Sequence, residues 1–144
     1  MNQIIRQASV HWKGKAAGSS STVSTESGAL QQATVSSGIP LKSRLEANPP
    51  ELIAAAQASS FSLALSDELE AMGFTEGGIV TTVTLTLEQL PVGWMIVKIN
   101  LNVVAKLPRV TQTEFIDATI RAKTTCMVSV SLRANISMTA KLEN

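Results

Sequence analysis

The chain has 144 residues, 44% hydrophobic and 16% charged, long enough to close a core without disulfides or metals, so a stapled mini-fold is excluded. Twelve Lys plus Arg against 11 Asp plus Glu leave a net charge of +1, and aromatics make up 3% with no Tyr. That balance gives neither an electrostatic grip on nucleic acid or anionic lipid nor a stacking platform for bases, while the scarcity of charge available to coat a free surface points to a dimer or larger assembly.

In chain order, Ala8, Val10 and Trp12 alternate with Ser9, His11 and Lys13 up to Gly14, the period of a half-buried strand with His11 exposed on its polar side. Gly18 to Gly38 is rich in Ser, Thr and Gly, which predicts a short strand near Thr22 to Thr25 and then a long mobile loop. Leu41, Ser43 and Leu45 alternate with Lys42, Arg44 and Glu46 as a further strand. Asn48-Pro49-Pro50-Glu51 then opens a helix: Asn48 caps, Pro49 occupies the first helical position, and the Glu51 carboxylate reaches back. Gly73 supplies a left-handed stop, so this helix runs to about Met72. Its middle, with Ala54 to Ala56, Ala58, Phe61 and Leu63 to Leu65, has almost no polar face and predicts a helix buried inside the protein.

Ile79 to Leu90 sets Val83, Leu85 and Leu87 against Thr82, Thr84 and Thr86, Pro91-Val92-Gly93 reverses the chain, and Val97, Ile99, Leu101 and Val103 alternate with Lys98, Asn100 and Asn102, a long hairpin with one apolar face. Thr111 and Glu114 form a capping box for a second helix to about Thr125, with Cys126 at its end. Ile136, Met138, Ala140 and Leu142 mark a final strand. The sum is a single α+β domain over residues 1–144, an antiparallel sheet with helices on one face. The run from Leu52 to Ser66 is uncharged, but Gln57, Ser59, Ser60 and Ser62 interrupt it and it falls short of the roughly 18 to 20 apolar residues of a membrane span. No secretory leader is evident in Met1 to Lys15, so a cytoplasmic location is expected. One cysteine and one histidine make neither an intrachain disulfide nor a metal cluster, and no cofactor is expected.

Several of these segments together resemble the OsmC/Ohr family, the osmotically inducible and organic hydroperoxide resistance proteins, and the OsmC branch more than the Ohr branch. They are Val10-His11-Trp12-Lys13-Gly14, Val23 to Gly28, Asn48 to Ala55, Phe61-Ser62-Leu63-Ala64-Leu65-Ser66 and Ala122 to Ser129, in family order across nearly the whole chain. The resemblance implies an intertwined homodimer with the central helices packed at its middle and a site at each subunit boundary. It also implies reduction of organic hydroperoxides and hydrogen peroxide by two cysteines, assisted by an arginine and a glutamate. A thiolate attacks the O–O bond and becomes a sulfenic acid, which the second thiol traps as a disulfide.

Carried over position by position, the family's attacking cysteine falls on Ser60, its glutamate on Pro50, its second cysteine on Cys126 and its arginine on Arg44. A serine hydroxyl stays protonated at neutral pH and has no sulfenic state, so peroxide turnover through Ser60 should fail. Pro50 leaves the fold intact, because an amide in the first turn has no intrahelical partner. A straight helix rises about 15 Å from Pro50 to Ser60, so even a glutamate there would need a bend or the partner subunit to reach the site.

Plainer roles stand beside these. Ser60 can be a helix-interior serine bonded to the carbonyl one turn back, Cys126 a buried free thiol, Arg44 a solvated strand residue, and Glu51 a capping group. The resulting expectation is an OsmC-like homodimer without peroxidase activity that accepts a small apolar or acidic molecule in a cleft lined by Arg44, Ser60, Phe61 and Cys126. Two alternatives remain open: a one-cysteine peroxidase acting through Cys126 with an external thiol, and an active reductase in which Ser60 is a laboratory replacement for cysteine. Pro50, a change with no purpose in disabling an enzyme, favours natural loss over the latter.

Overall fold

A computed structural model describes residues 2–15, 18–35 and 46–144. They fall into two compact units, Met1–Leu52 and Ile53–Asn144. The expected strand around Leu41 to Leu45, with Arg44, lies outside the described residues.

In the first unit, β1 (Ala8–Lys15), β2 (Gly18–Thr25) and β3 (Ala33–Val35) form an antiparallel sheet in the order β1-β2-β3. The register runs from Ala8 opposite Thr25 to Lys15 opposite Gly18, and His11 is exposed as expected. The Ser/Gly-rich segment holds more structure than its composition suggests. β2 begins earlier than Thr22, and a turn with Gly28 at φ 76°, closed by the Thr25 amide donating to the Leu30 carbonyl at 2.9 Å, leads into β3.

Helix α1 (Pro49–Ala71) starts where the Asn48-Pro49-Pro50-Glu51 signal predicts. Asn48 Oδ1 accepts the Glu51 amide at 2.9 Å, and the Glu51 carboxylate accepts from Asn48 Nδ2 at 3.1 Å, so Glu51 reaches back to the cap's side chain. Gly73 ends the helix at φ 88°, with the Phe74 amide donating to the Leu69 carbonyl and the Gly73 amide to the Glu70 carbonyl, both at 2.9 Å. This is the paired-bond stop that a glycine permits.

In the second unit β4 (Gly78–Leu90) and β5 (Gly93–Lys106) form the expected hairpin. Leu90 lies opposite Gly93 across Pro91-Val92, and the register shifts between Thr86 and Leu87, which leaves Val97 as an extra residue on β5, a bulge that adds local twist. Ile99, Leu101, Val103 and Ala105 are buried, and the core joins the last three to Phe61, Leu65 and Leu69 of α1 and to Phe115, Ala118 and Ala122 of α2 (Gln112–Thr125).

Three expectations are corrected. The last strand, β6 (Asn135–Leu142), pairs with β5 in parallel, Ile99 opposite Ile136 and Ala105 opposite Leu142, so the sheet is mixed. The chain crosses over through α2 and a third short helix, α3 (Met127–Ser131), supplying the long connection that a parallel pair needs. Among the described residues the strands form two three-stranded sheets rather than one. Finally, α1 is not enclosed on all sides within the chain: Gln57, Phe61, Leu65 and Leu69 form a buried stripe, while Leu63 is 65% exposed.

The α2 capping box is complete. Thr111 Oγ1 accepts the Glu114 amide at 3.3 Å, and the Glu114 carboxylate accepts the Thr111 amide at 2.8 Å. The Thr111 backbone and side-chain hydrogen bonds hold the Glu114 carboxyl below its ordinary value of 4.5. A carboxyl depressed by folding stabilises the native state above its unfolded pKa and loses that contribution as pH falls through the folded value. The stability advantage of the unaltered chain over Glu114→Gln, measured by denaturant unfolding, is therefore expected to be full at neutral pH and to shrink steadily below pH 4.5.

Candidate functional site

The site is built where α1 meets the α2–α3 junction. On α1 the buried stripe has apolar residues at every fourth position except the first, Gln57. Ser60 sits three residues beyond Gln57, hence beside it on the helix surface, and is half-buried. On the other side, Thr124 and Thr125 end α2. Their hydroxyls donate back to the Arg121 carbonyl at 2.8 and 3.1 Å, the local competition by which threonines weaken a helix. Cys126 then leaves helical geometry at φ −60°, ψ 112°. Its amide still bonds the Ala122 carbonyl at 2.9 Å, and its own carbonyl accepts from Val130 at 3.1 Å. The cysteine thus closes one helix and opens the next, with its backbone fixed from both sides.

Two polar contacts cross this apolar boundary. Cys126 Sγ donates to Ser60 Oγ at 3.2 Å, and Gln57 Nε2 donates to Ser129 Oγ at 2.5 Å. Gln57 is fully buried and Ser129 nearly so, and Cys126 is 1% exposed. Gln57 Oε1 finds no donor among the described residues. Burial pushes the Cys126 thiol up, but the Ser129 hydroxyl, the Ser60 hydroxyl and the amides of Ser129 and Val128 together outweigh it and hold the thiol below its ordinary 9.0. The thiol closes no cap hydrogen bond on α3, so the amides act as nearby dipoles that favour negative charge on sulfur.

Of the residues expected at a site, Ser60 and Cys126 are brought into contact. Pro50 lies in the first turn of α1, and Arg44 is outside the described residues. Phe61 and Cys126 belong to the core of the second unit rather than to the wall of a cleft. The Ser60 oxygen accepts from the thiol, a contact different from the bond to the carbonyl one turn back that the plainer role supposed. A cavity of about 270 Å³ in this unit is lined by Ser66, Leu69, Phe74, Ile79 and Leu107 among others, and takes in neither Ser60 nor Cys126. Among the described residues no cluster of metal-ligating side chains occurs, and no helix is long and apolar enough to cross a membrane.

Gln57 and Ser129 were not singled out in the sequence. One signal was available for Gln57: an amide side chain sharing a four-residue period with Phe61, Leu65 and Leu69 must either be satisfied by a buried partner or break the stripe. Ser129, 72 positions away, carries no comparable mark.

A mixed three-stranded sheet, a long helix against its inner face, and a helix junction that sets one thiol against that helix define an α+β protein with a thiol-centred site. Residues 42–141 match the family model of OsmC-like proteins. The chain is 36% identical over 141 residues to Peroxiredoxin OsmC of Escherichia coli, covering 98% of this chain and 99% of that protein. Its fold is similar to an OsmC-like protein from Vibrio cholerae, with a TM-score of 0.83 at 15% identity over 96% of this chain and 99% of that one. It is also similar to an organic hydroperoxide resistance protein OsmC from Legionella pneumophila, with a TM-score of 0.71 at 19% identity over the full length of both. The chain belongs to the OsmC-like family.

The contact between positions 60 and 126 has a direct consequence. An S–S bond is about 2.05 Å, and the 3.2 Å between Cys126 Sγ and Ser60 Oγ lies within reach of side-chain rotation. Mild oxidation of Ser60→Cys should therefore consume both thiols in one intramolecular disulfide, read by thiol titration and non-reducing peptide mapping. Two titratable thiols surviving in the folded, oxidised variant would contradict the geometry.

Proposed function

We propose that this OsmC-family chain has given up the two-thiol hydroperoxide cycle and works as a homodimer holding a small apolar or acidic molecule beside Ser60 at the subunit boundary. The relatives it matches are named as a peroxiredoxin and as an organic hydroperoxide resistance protein, which makes hydroperoxide defence the starting point. One observation carries the departure: the oxygen of Ser60 stands 3.2 Å from the sulfur of Cys126, the only cysteine in the sequence. Two-thiol reduction needs one sulfur to take oxygen from the peroxide and another to displace it as water while the disulfide forms. With oxygen at position 60 the second half has no partner. Pro50 removes the carboxylate that the family resemblance assigns to the helix start, and Arg44 as the activating arginine belongs to the same proposal.

The homodimer is supported by the 65%-exposed Leu63 on the uncharged stretch of α1 and by Ile116, Ile120, Met127 and Val130, all uncovered in the single chain. Ser60, half-buried next to this exposed face, supports placing the ligand there. A reducing, cytoplasmic setting fits a protein whose single thiol has no disulfide partner. A second reading, a one-cysteine peroxidase through Cys126, is favoured by the hydrogen bonds that hold its thiol below the ordinary range.

The two readings separate in a turnover assay with cumene hydroperoxide and either dithiothreitol or a dihydrolipoyl reductant. The expected result is a rate equal to that of Cys126→Ala, and appearance of cysteine-dependent turnover in Ser60→Cys with Pro50→Glu. Turnover by the unaltered chain that vanishes in Cys126→Ala would replace the binding role with the one-cysteine enzyme. Sedimentation equilibrium tests the dimer, and a monomer would remove the subunit-boundary site.

A further inference from the structure

Gln57 has no place in the family resemblance or in the proposed function, yet it is a fully buried polar side chain of the second unit. It sits on a stripe otherwise made of Phe61, Leu65 and Leu69. Its Nε2 donates to Ser129 Oγ, and the Ser129 hydroxyl is the chief group favouring negative charge on the Cys126 sulfur. Its Oε1 has no donor among the described residues. Ser60, the neighbour of Gln57 on the same helix face, accepts from Cys126 Sγ at 3.2 Å. The sulfur therefore meets α1 directly through Ser60 and is linked to Gln57 through Ser129.

A buried acceptor without a donor is a position waiting for an O–H or N–H group. Cys126 can generate such a group itself. We infer that Cys126 is a stoichiometric oxidation site for hydrogen peroxide, and that Gln57 Oε1 accepts the O–H of the sulfenic acid formed there, with Ser129 and Gln57 acting as positioning residues. In the step, the Cys126 sulfur attacks one peroxide oxygen, the S–O bond forms as the O–O bond breaks, and the departing hydroxide takes the thiol proton to leave as water. Sulfur is oxidised by two electrons and the peroxide is reduced by two.

The product stops at this stage for two reasons. No second thiol stands against it, a point that rests on the reading that Ser60 breaks the two-thiol couple. The sulfur is 1% exposed, so a compact oxidant reaches it during local opening while bulky thiol reductants do not, and oxidation is a single event rather than a cycle. A hydrogen bond from S–O–H to an uncharged amide oxygen also keeps the sulfenic acid protonated, which slows its further oxidation.

The test treats the full-length folded protein with hydrogen peroxide without reductant, removes the oxidant, and unfolds the chain in denaturant containing dimedone, so that a buried sulfenic acid is trapped on exposure. The expected result is a dimedone adduct at Cys126 in the unaltered chain, reduced several-fold in Gln57→Met, which keeps the volume and removes the acceptor. The thiol titration, followed by thiolate ultraviolet absorbance, should move upward in Ser129→Ala, a change that loss of packing alone would not produce. Absence of any adduct at Cys126 while the 71%-exposed Met127 is oxidised would overturn the inference, as would an adduct yield in Gln57→Met equal to that of the unaltered chain. Should Gln57→Met not fold, the adduct yield of Ser129→Ala takes its place under the same criteria. Failure of the two-thiol reading appears elsewhere, as cumene hydroperoxide turnover with external thiol.

Discussion

Between Glu51 and Asp67 helix α1 carries no charge, and water would solvate it poorly along its length. Its stability depends on covering the stripe of Phe61, Leu65 and Leu69, and the cover comes from Leu101, Val103 and Ala105 of β5 and from Phe115, Ala118 and Ala122 of α2. Burying side chains of this size is worth roughly 1.5–3 kcal/mol each. That packing fixes where α2 ends relative to α1, and so decides that Cys126, the residue at which α2 gives way to α3, faces Ser60. The contact at the site is a consequence of apolar packing on either side of it, since a weak S–H donor could not assemble two helices by itself.

Within that packed frame the thiol experiences two opposed effects. Removal from water disfavours the thiolate, whereas hydroxyls and amides directed at the sulfur favour it, and here the second group prevails. Hydroxyl and amide dipoles tune sulfur, but they cannot supply the missing second sulfur. Placing one thiol and tuning it through Ser129 and Val128 is thus a property of the packed scaffold that does not depend on which atom stands at position 60. Pro50 illustrates the same separation of fold from chemistry. The first turn of α1 forms normally around it, with Asn48 and Glu51 closing the cap, because the amide that proline lacks had no helical partner.

The elements written in local chemistry were legible in the sequence. Asn48 to Glu51 marks the start of α1 and Gly73 its end, Thr111 with Glu114 marks the start of α2, and the alternation around Pro91-Val92 marks the hairpin. Each depends on residues within a turn of one another. Information that is not local was not legible. Alternation in Ile136 to Leu142 specifies a strand with one apolar face, but an apolar face looks the same in either direction, so the parallel pairing of β6 had no signature. The three residues of β3 and five of α3 are too short for any period to show. The choice between a buried and an exposed Cys126 was equally open in the sequence, because it follows from Phe61, Leu65 and Ala122 converging on one cluster. Arg44 illustrates a different limit: its strand was inferred from alternation alone, and nothing described in the structure bears on it.

Gln57 connects these themes. A buried acceptor left without a donor destabilises a fold by about 1–3 kcal/mol, and an apolar side chain of the same volume would complete the stripe begun by Phe61 without that penalty. Its other end is well used, since Nε2 joins α1 to Ser129 on α3. An amide carries its donor and its acceptor on two separate atoms, so it can donate in one direction and accept in another. A donor alone would have sufficed to hold Ser129, and serine or threonine on α1 would be too short to reach as far. The side chain present therefore offers both functions at once, with the donor half used by Ser129 and the acceptor half left open among the described residues.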